Sequence, residues 1–269
     1  MSVSAKGTAV ITGASTGMGA LYASKLAKMG YDLIIVARNH NRLNQIASHI
    51  AADNERNVEV VASDLNDSGQ LAALESRLRN DASITLLVNN AGIGTHTKLH
   101  ESDVEKMTAM INLNVVALTR LTYAVVPGFI DRGRGAIINI ASIVSIAPEI
   151  LNGVYGGSKA YVLAFTRSLH SELADKGIQV QAVLPSATAT PFWETGGLPL
   201  SRVDPGIIMQ AEDMVEAALS GFVQGEFITI PSLHDESRLQ EWERARQAII
   251  EDFSHNEPAA RYYSPSHKH

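Results

Sequence analysis

A tyrosine and a lysine stand four residues apart, Tyr155 and Lys159, in the stretch GVYGGSKA at 153–160. On a helix, residues i and i+4 share one face with Cβ atoms roughly 5–6 Å apart, so both side chains can enter one cleft. A free tyrosine titrates near about 10. A cation within ~4–6 Å lowers an acid's pKa by about 1–3 units, against the upward push of desolvation. The pair therefore reads as an acid/base device, a phenol brought toward neutral pH where it can give or take a proton. The ammonium can also hold a ligand hydroxyl. Such a pair occurs by chance on many surface helices, but here it has company. Ser142, thirteen residues before Tyr155, offers a hydroxyl to a carbonyl oxygen as negative charge develops on it. Asn114 is a helix distortion, a satisfied polar group of the core, or the anchor of a water relay from Lys159. The helix also carries Gly156 and Gly157, each costing about 1 kcal/mol relative to alanine. They are read as clearing bulk for a ligand lying close to this face.

A second group begins after the apolar run TAVIT (8–12), where TGASTGMG (12–19) places Gly13, Gly17 and Gly19 at the start of a helical stretch. Glycines there allow a tight turn and let backbone N–H groups at the positive helix end approach a pyrophosphate. The spacing is TGxxxGxG rather than the more general GxGxxG, and glycines after a strand also serve as plain turns. At the end of the next run, DLIIVA (32–37), an acidic residue would favour NAD. This chain has Ala37 and Arg38 instead. A guanidinium fork suits a 2′-phosphate, so NADP(H) is the expected cofactor, with NAD(H) the alternative if Arg38 is a solvated surface cation. Asp64, just after VEVVA (58–62), can accept from an adenine amino group or cap the following helix.

These groups need a scaffold that brings strand ends together. Short apolar runs alternate with helix-like stretches: TAVIT, DLIIVA, VEVVA, ITLLVNN, GAIINIAS, IQVQAVLP and EFITI. Nearly all are continuous rather than alternating, the pattern of a parallel sheet buried on both faces. The expected fold is α/β, a Rossmann-type doubly wound seven-stranded parallel sheet with helices on both faces. One domain is expected over 1–269, with a substrate loop about 186–212 and a peripheral extension about 232–269. Gly30 is placed as a helix C-cap, and Ser102 with Glu105 as a capping box. The chain has 22 Lys+Arg against 28 Asp+Glu, which argues against nucleic acid as a partner. It has no cysteine, so disulfides and thiolate chemistry are excluded. No apolar run approaches the ~20 residues of a membrane span, and no signal peptide is read at the N-terminus. A cytoplasmic protein is expected. No histidine pair has metal-ligand spacing, and His255, His267 and His269 belong to a polar tail; His96 and His100 read as surface residues near the mouth of the site.

Taken together, TGASTGMG, Asp64, NNAG (89–92), Asn114, Ser142, Tyr155, Lys159 and PSATAT (185–190) resemble the short-chain dehydrogenase/reductase family, in its compact single-domain branch. The resemblance covers roughly residues 6 to 231, with the motifs in the family's order. It implies Tyr155 as the acid/base, Lys159 lowering its pKa and binding the nicotinamide ribose, Ser142 orienting the substrate and Asn114 supporting a proton relay. It further implies that Gly13, Ser15, Thr16, Gly17, Met18 and Gly19 cradle the phosphates. Asp64 and Leu65 would meet the adenine, and Asn90, Ala91 and Gly92 line the floor. Thr188 and Thr190 would meet the carboxamide. Two departures stand out. Pro185-Ser186 replaces the family's usual Pro-Gly, and Thr16 occupies a position that is often basic in NADP-preferring members. A homotetramer or homodimer through the two long central helices is implied as well.

The expected substrate wall comprises Ser142, Val144, Tyr155, Phe192 and Trp193, with Trp193 equally suited to packing a lid. These mostly apolar side chains suit a neutral, moderately hydrophobic ketone, aldehyde or secondary alcohol. The leading expectation is an NADP(H)-dependent carbonyl reductase, with an NAD-linked alcohol dehydrogenase as the alternative. A dinucleotide-binding sensor without turnover is the reading from another class. The intact Ser142, Tyr155 and Lys159 weigh against it.

Overall fold

The computed structural model describes residues 6–263. The first five residues of the N-terminus, and the tail histidines His267 and His269, lie outside the described residues. Two compact units are present, one ending at Ser232 and one beginning at Leu233.

In the first unit strands and helices alternate. The order is β1 (Thr8–Thr12), α1 (Gly17–Lys28), β2 (Asp32–Ala37), α2 (His40–Asn54), β3 (Val58–Ala62), α3 (Ser68–Arg79) and β4 (Ile84–Asn89). There follow α4 (Val104–Ile111), a π-helical turn (Asn112–Ala117), α5 (Leu118–Arg132), β5 (Gly135–Ile140), α6 (Gly153–Leu173) and β6 (Ile178–Val183). The unit closes with β7 (Thr188–Ala189), α7 (Phe192–Thr195), β8 (Met209–Gln210), α8 (Ala211–Gln224) and β9 (Ile228–Thr229). Seven strands form one sheet in the order β3-β2-β1-β4-β5-β6-β9, with parallel pairing throughout. This is the expected doubly wound architecture. Strand order reverses between β1 and β4, and in such sheets the crevice beyond the carboxyl ends at the reversal is where ligands bind.

The uninterrupted apolar runs follow from burial on both faces. Ile11, Ile35, Val88 and Ile138 join one core with Tyr22 and Leu26 of α1 and Met214 and Phe222 of α8. Their neighbours Val10, Ile34, Leu87 and Ile137 join the other, with Leu74 of α3, Leu121 and Phe129 of α5 and Leu169 of α6. Successive strand residues point to opposite faces, so these central strands are apolar at nearly every position. The edge strand β3 exposes Glu59, and β6 buries Gln181 through hydrogen bonds to Ala218 O and Thr229 Oγ1. On α6 the buried stripe is Tyr155, Lys159, Val162, Thr166, Leu169 and Leu173. The reactive pair thus lies on the face turned to the sheet.

Several local expectations are corrected. Asp103, not Ser102, caps α4 by accepting from Glu105 N, while Ser102 Oγ donates back to Lys98 O. The long central helix is interrupted by the π-helical turn that contains Asn114, in keeping with the reading of that amide as a helix distortion. The run EFITI contributes only Ile228–Thr229 as strand. The segment after β6 is not bare loop, since β7 pairs with β8 through Thr188 and Met209. Among the described residues, Val104–Arg132 is long and apolar enough by length and composition to cross a membrane, a stretch that short apolar runs did not reveal. It packs as a core helix, with Leu118, Leu121, Ala124, Val125 and Phe129 buried.

In the second unit α9 (Glu236–Glu251) is capped by Asp235, whose side chain accepts from Ser237 N, and none of its residues is buried. Short 3-10 turns at Asp252–Ser254 and Ala260–Tyr262 follow.

Candidate active site

The glycine loop leaves β1 with Gly13 at φ +68° and Gly17 at φ +54°, conformations that side chains rarely adopt. Gly19 has a second reason to lack a side chain, because a Cβ there would lie 2.2 Å from Gly13 O. The loop is tied to the end of β4. Asn90 N and Ala91 N donate to Thr12 Oγ1, each at 3.0 Å, and Asn90 Nδ2 donates to Thr12 O at 2.9 Å.

At the start of α1 no side chain caps the helix and no acid occupies the first turn. By contrast α2, α3, α4 and α6 are each capped by an Asn or Asp side chain, and α8 carries Glu212 and Asp213 in its first turn. An uncapped helix start facing a cleft is a ready anion site. The cleft, about 410 Å³, is lined by Gly13, Ser15, Thr16, Gly17 and Met18. Arg38, Asp64, Leu65, Asn90, Ala91, Gly92 and Thr190 line it as well. Gly19 and Thr188 do not. Gly19 packs against the loop, and the Thr188 carbonyl accepts from Trp193 Nε1 at 2.8 Å. Asp64 does not cap α3; Asp67 does. The residues present therefore fit a dinucleotide: uncapped N–H groups for its phosphates and a guanidinium toward the β2 end.

Sequence reading missed Arg42, which lines the same cleft in the first turn of α2. Its four-residue spacing from Arg38 was the available signal. It placed a second guanidinium near the first only once α2 was known to start at His40. Ser63, Asn39 and Ile93 also line the cleft.

Beside Gly92 and Ile93 of the cleft lining lie Asn114 and Lys159, with Tyr155 and Ser142 next to them. Lys159 Nζ donates to Ile140 O at 2.8 Å. Asn114 Nδ2 donates to Ile93 O at 2.8 Å and to Ser158 Oγ at 3.1 Å, and Ser158 Oγ donates to Tyr155 O at 2.8 Å. Ser142 accepts from Val144 N at 3.3 Å, which holds it at the carboxyl end of β5. A Cβ on Gly92 would come within 3.1 Å of Asn114 Oδ1 and 3.4 Å of Lys159 Nζ. Gly92 is thus the residue that keeps space beside the lysine.

Two sequence readings are overturned here. The helix glycines do not clear room for a ligand. A Cβ on Gly156 would meet Pro148 Cβ at 2.8 Å and Pro148 O at 3.0 Å, whereas Gly157 faces open space. Gly156 serves the close packing of α6 on the turn at Pro148–Ile150. Nor is the phenol brought toward neutrality in this state. Burial pushes Tyr155 up to about 12, and a hydrogen bond from the Ser142 hydroxyl opposes this only in part. Burial lowers Lys159 to about 8.

In front of Tyr155 is a second cavity, walled by Gly94, Thr95, His96, Leu151, Tyr155, Phe192, Trp193, Gly196 and Leu198. It encloses about 10 Å³, room for one water at most. Phe192 fills it, its ring centroid 5.7 Å from that of Tyr155. A Cβ on Gly94 would lie 2.4 Å from Phe192 Cζ. Phe192 and Trp193 both line this cavity. His96 joins them, with Nδ1 at 3.2 Å from Gly196 O. Val144 lies behind Tyr155 in a small apolar cluster with Met107 and Met110. Glu149 and Glu194 are exposed. Among the described residues no cluster of His, Cys, Asp or Glu could hold a metal ion.

The family model described as short chain dehydrogenase matches residues 7–197. A very-long-chain 3-oxoacyl-CoA reductase of Anas platyrhynchos is 35% identical over 189 residues, 68% of this chain and 60% of that protein. The chain thus spans less than two thirds of that relative's length. A solved short-chain dehydrogenase from Sphingobium yanoikuyae in complex with NADPH is similar at TM-score 0.92 and 42% identity, covering 95% of this chain and 100% of that one. A bulky-bulky ketone specific alcohol dehydrogenase from Comamonas testosteroni is similar at TM-score 0.88 and 40% identity, covering 96% and 99%. With a sheet reversal, a glycine loop and a family model matched over residues 7–197, this chain belongs to the short-chain dehydrogenase/reductase family.

Proposed function

We propose that the protein is an NADP(H)-dependent reductase of neutral, moderately hydrophobic ketones or aldehydes, working reversibly on the corresponding alcohols. One observation carries the reading. A single cleft joins two guanidinium groups, Arg38 and Arg42, to Gly92 and Ile93 beside Asn114 and Lys159. Tyr155 lines the small adjoining cavity, which shares Gly94 and Phe192 with the cleft. The pair of arginines suits a 2′-phosphate. The NADPH complex of the Sphingobium protein and the ketone specificity in the Comamonas protein's name support the same cofactor and substrate class.

The dinucleotide, when bound, supplies or accepts the hydride at the substrate carbon. Gly13, Ser15, Thr16, Gly17 and Met18 would hold its phosphates, and Lys159 a ribose hydroxyl. Tyr155 keeps its proton at neutral pH, as a donor to a forming alkoxide must. As the carbonyl oxygen gains charge, the Tyr155 O–H bond breaks and the alcohol O–H bond forms. The phenolate left behind is stabilised by the Ser142 hydroxyl and by the Lys159 ammonium one turn further along α6. Asn114, linked through Ser158 to the Tyr155 carbonyl, keeps this turn of the helix in place. Exposure of both Glu149 and Glu194 leaves the pocket wall uncharged, which favours neutral substrates. Entry of any substrate requires Phe192 to leave the space over Tyr155.

We also propose a homo-oligomer. Val116, Tyr123 and Ile130 are exposed at seven-residue spacing. Phe165 of α6 stacks with Tyr123 at 6.5 Å and with Tyr161 at 5.7 Å. An apolar strip of this kind suits a second copy.

Replacing Tyr155 with Phe removes the proton donor and keeps the ring. Turnover of a neutral ketone should fall at least about 100-fold, the usual worth of a general acid, with NADPH affinity retained. Undiminished turnover in that variant would sink the mechanism.

A further inference from the structure

Between β4 and α4 the chain passes through Gly94, Thr95 and His96, one wall of the cavity before Tyr155. None of the three is buried, so apolar packing does little to fix them. Two asparagines hold the stretch instead, one at each end. At the near end, Ile93 N donates to Asn114 Oδ1 at 2.9 Å and Asn114 Nδ2 donates to Ile93 O at 2.8 Å. At the far end stands Asn152, 5% exposed, at the N-cap of α6. Its Oδ1 accepts from Val154 N at 2.9 Å and from Tyr155 N at 3.4 Å. Its Nδ2 donates to Thr97 O and, at 3.2 Å, to Ser102 Oγ.

An N-cap needs only an acceptor oxygen, and serine, aspartate and asparagine serve about equally. A cap that must also donate sideways from a buried position needs an amide. We propose that Asn152 is a positioning residue that locks the segment from Ile93 to Thr97 in register with the turn of α6 carrying Tyr155. The pocket wall and the phenol then keep their spacing when Phe192 moves aside. Asn114 completes the fastening, because its amide also reaches Ser158 on α6. Thr95 and Thr97 share a 2.7 Å hydroxyl contact, which stiffens the span between the two clamps. That the segment walls a substrate rests on the reductase reading; the fastening itself does not.

Asn152→Ser separates the two tasks, since serine caps the helix but is too short to reach Thr97 O. Hydrogen exchange is compared by mass spectrometry on the full chain with NADPH absent. Amides of residues 93–99 should exchange about tenfold faster in the variant, the factor expected for one lost hydrogen bond, with α6 unchanged. Ser102→Ala, which removes one acceptor and leaves the cap intact, should give a smaller acceleration in the same segment. It keeps the test decisive if the first variant folds poorly. With ketone and NADPH, Asn152→Ser should raise KM about tenfold and lower kcat much less. Wild-type exchange at 93–99 in both variants would overturn the proposal, as would acceleration spread equally along α6, which is the mark of a cap alone. The exchange measurement involves no turnover, so it stands even if the reductase reading fails.

Discussion

Lys159 and Tyr155 are shifted in opposite directions by one cause. Burial takes the ammonium down to about 8 and the phenol up to about 12. At pH 7 the lysine is still mostly charged and the tyrosine fully protonated, the states that proton donation requires. The lysine shift has a sign in stability. The folded chain releases this proton near 8, whereas the unfolded chain holds it to 10.5. Between these values the unfolded state binds more protons, so stability rises with pH across the window and is unaffected by this group below it. The stability deficit of the wild type relative to Lys159→Met should therefore narrow between pH 8 and 10.5 in urea titrations. A gap independent of pH across that window would mean that no charged amine is buried there. Arg38 and Arg42 define the second prediction at this scale. Arg38→Ala or Arg42→Ala should weaken NADPH binding about tenfold or more, the worth of a charge-assisted hydrogen bond. NADH binding should stay within about twofold. Equal losses for both cofactors in a fluorescence titration would show that neither guanidinium meets a 2′-phosphate.

Within α6 the neighbouring glycines differ in what surrounds them. A Cβ on Gly156 runs into Pro148, but one on Gly157 meets nothing. Gly156→Ala should destabilise the chain by about 1–3 kcal/mol, as overpacking does. Gly157→Ala should stabilise it by about 0.5–1 kcal/mol through helix propensity and a less mobile unfolded chain. Calorimetric shifts of the same sign for both would contradict the packing described. The sequence could not tell these two apart, because the contact with Pro148 comes from a turn whose path is set by the tertiary fold. The same limit explains other misses. Most of the seven strands were legible because burial on both faces leaves a nearly uninterrupted apolar run, which the edge strand β3 breaks at Glu59. The glycine loop was legible because positive φ demands a residue type. The cap at Asp103 and the helix at Phe192–Thr195 depend on contacts outside their own windows. For Tyr155 the sequence supplied the i+4 partner but not the depth of burial, and burial decides the direction of its shift.

At the scale of the whole molecule, the strip made by Val116, Tyr123, Ile130, Tyr161 and Phe165 should be covered by a second copy. Light scattering on the full chain should give the mass of a dimer or tetramer at micromolar concentration, and Tyr123→Lys should shift it toward monomer. A monomeric wild type would remove that surface from consideration. The proposed function at this scale depends on the cleft and the small cavity beside it acting together, Arg38 and Arg42 lining the first and Tyr155 the second. The direct measurement follows nicotinamide absorbance as the purified protein meets a panel of neutral, bulky ketones, with NADPH and NADH in parallel and Tyr155→Phe as the control. Oxidation of NADPH in preference to NADH, abolished in the control, is the expected result. Faster oxidation of NADH, or NADPH oxidation that survives the loss of the phenol, would contradict it.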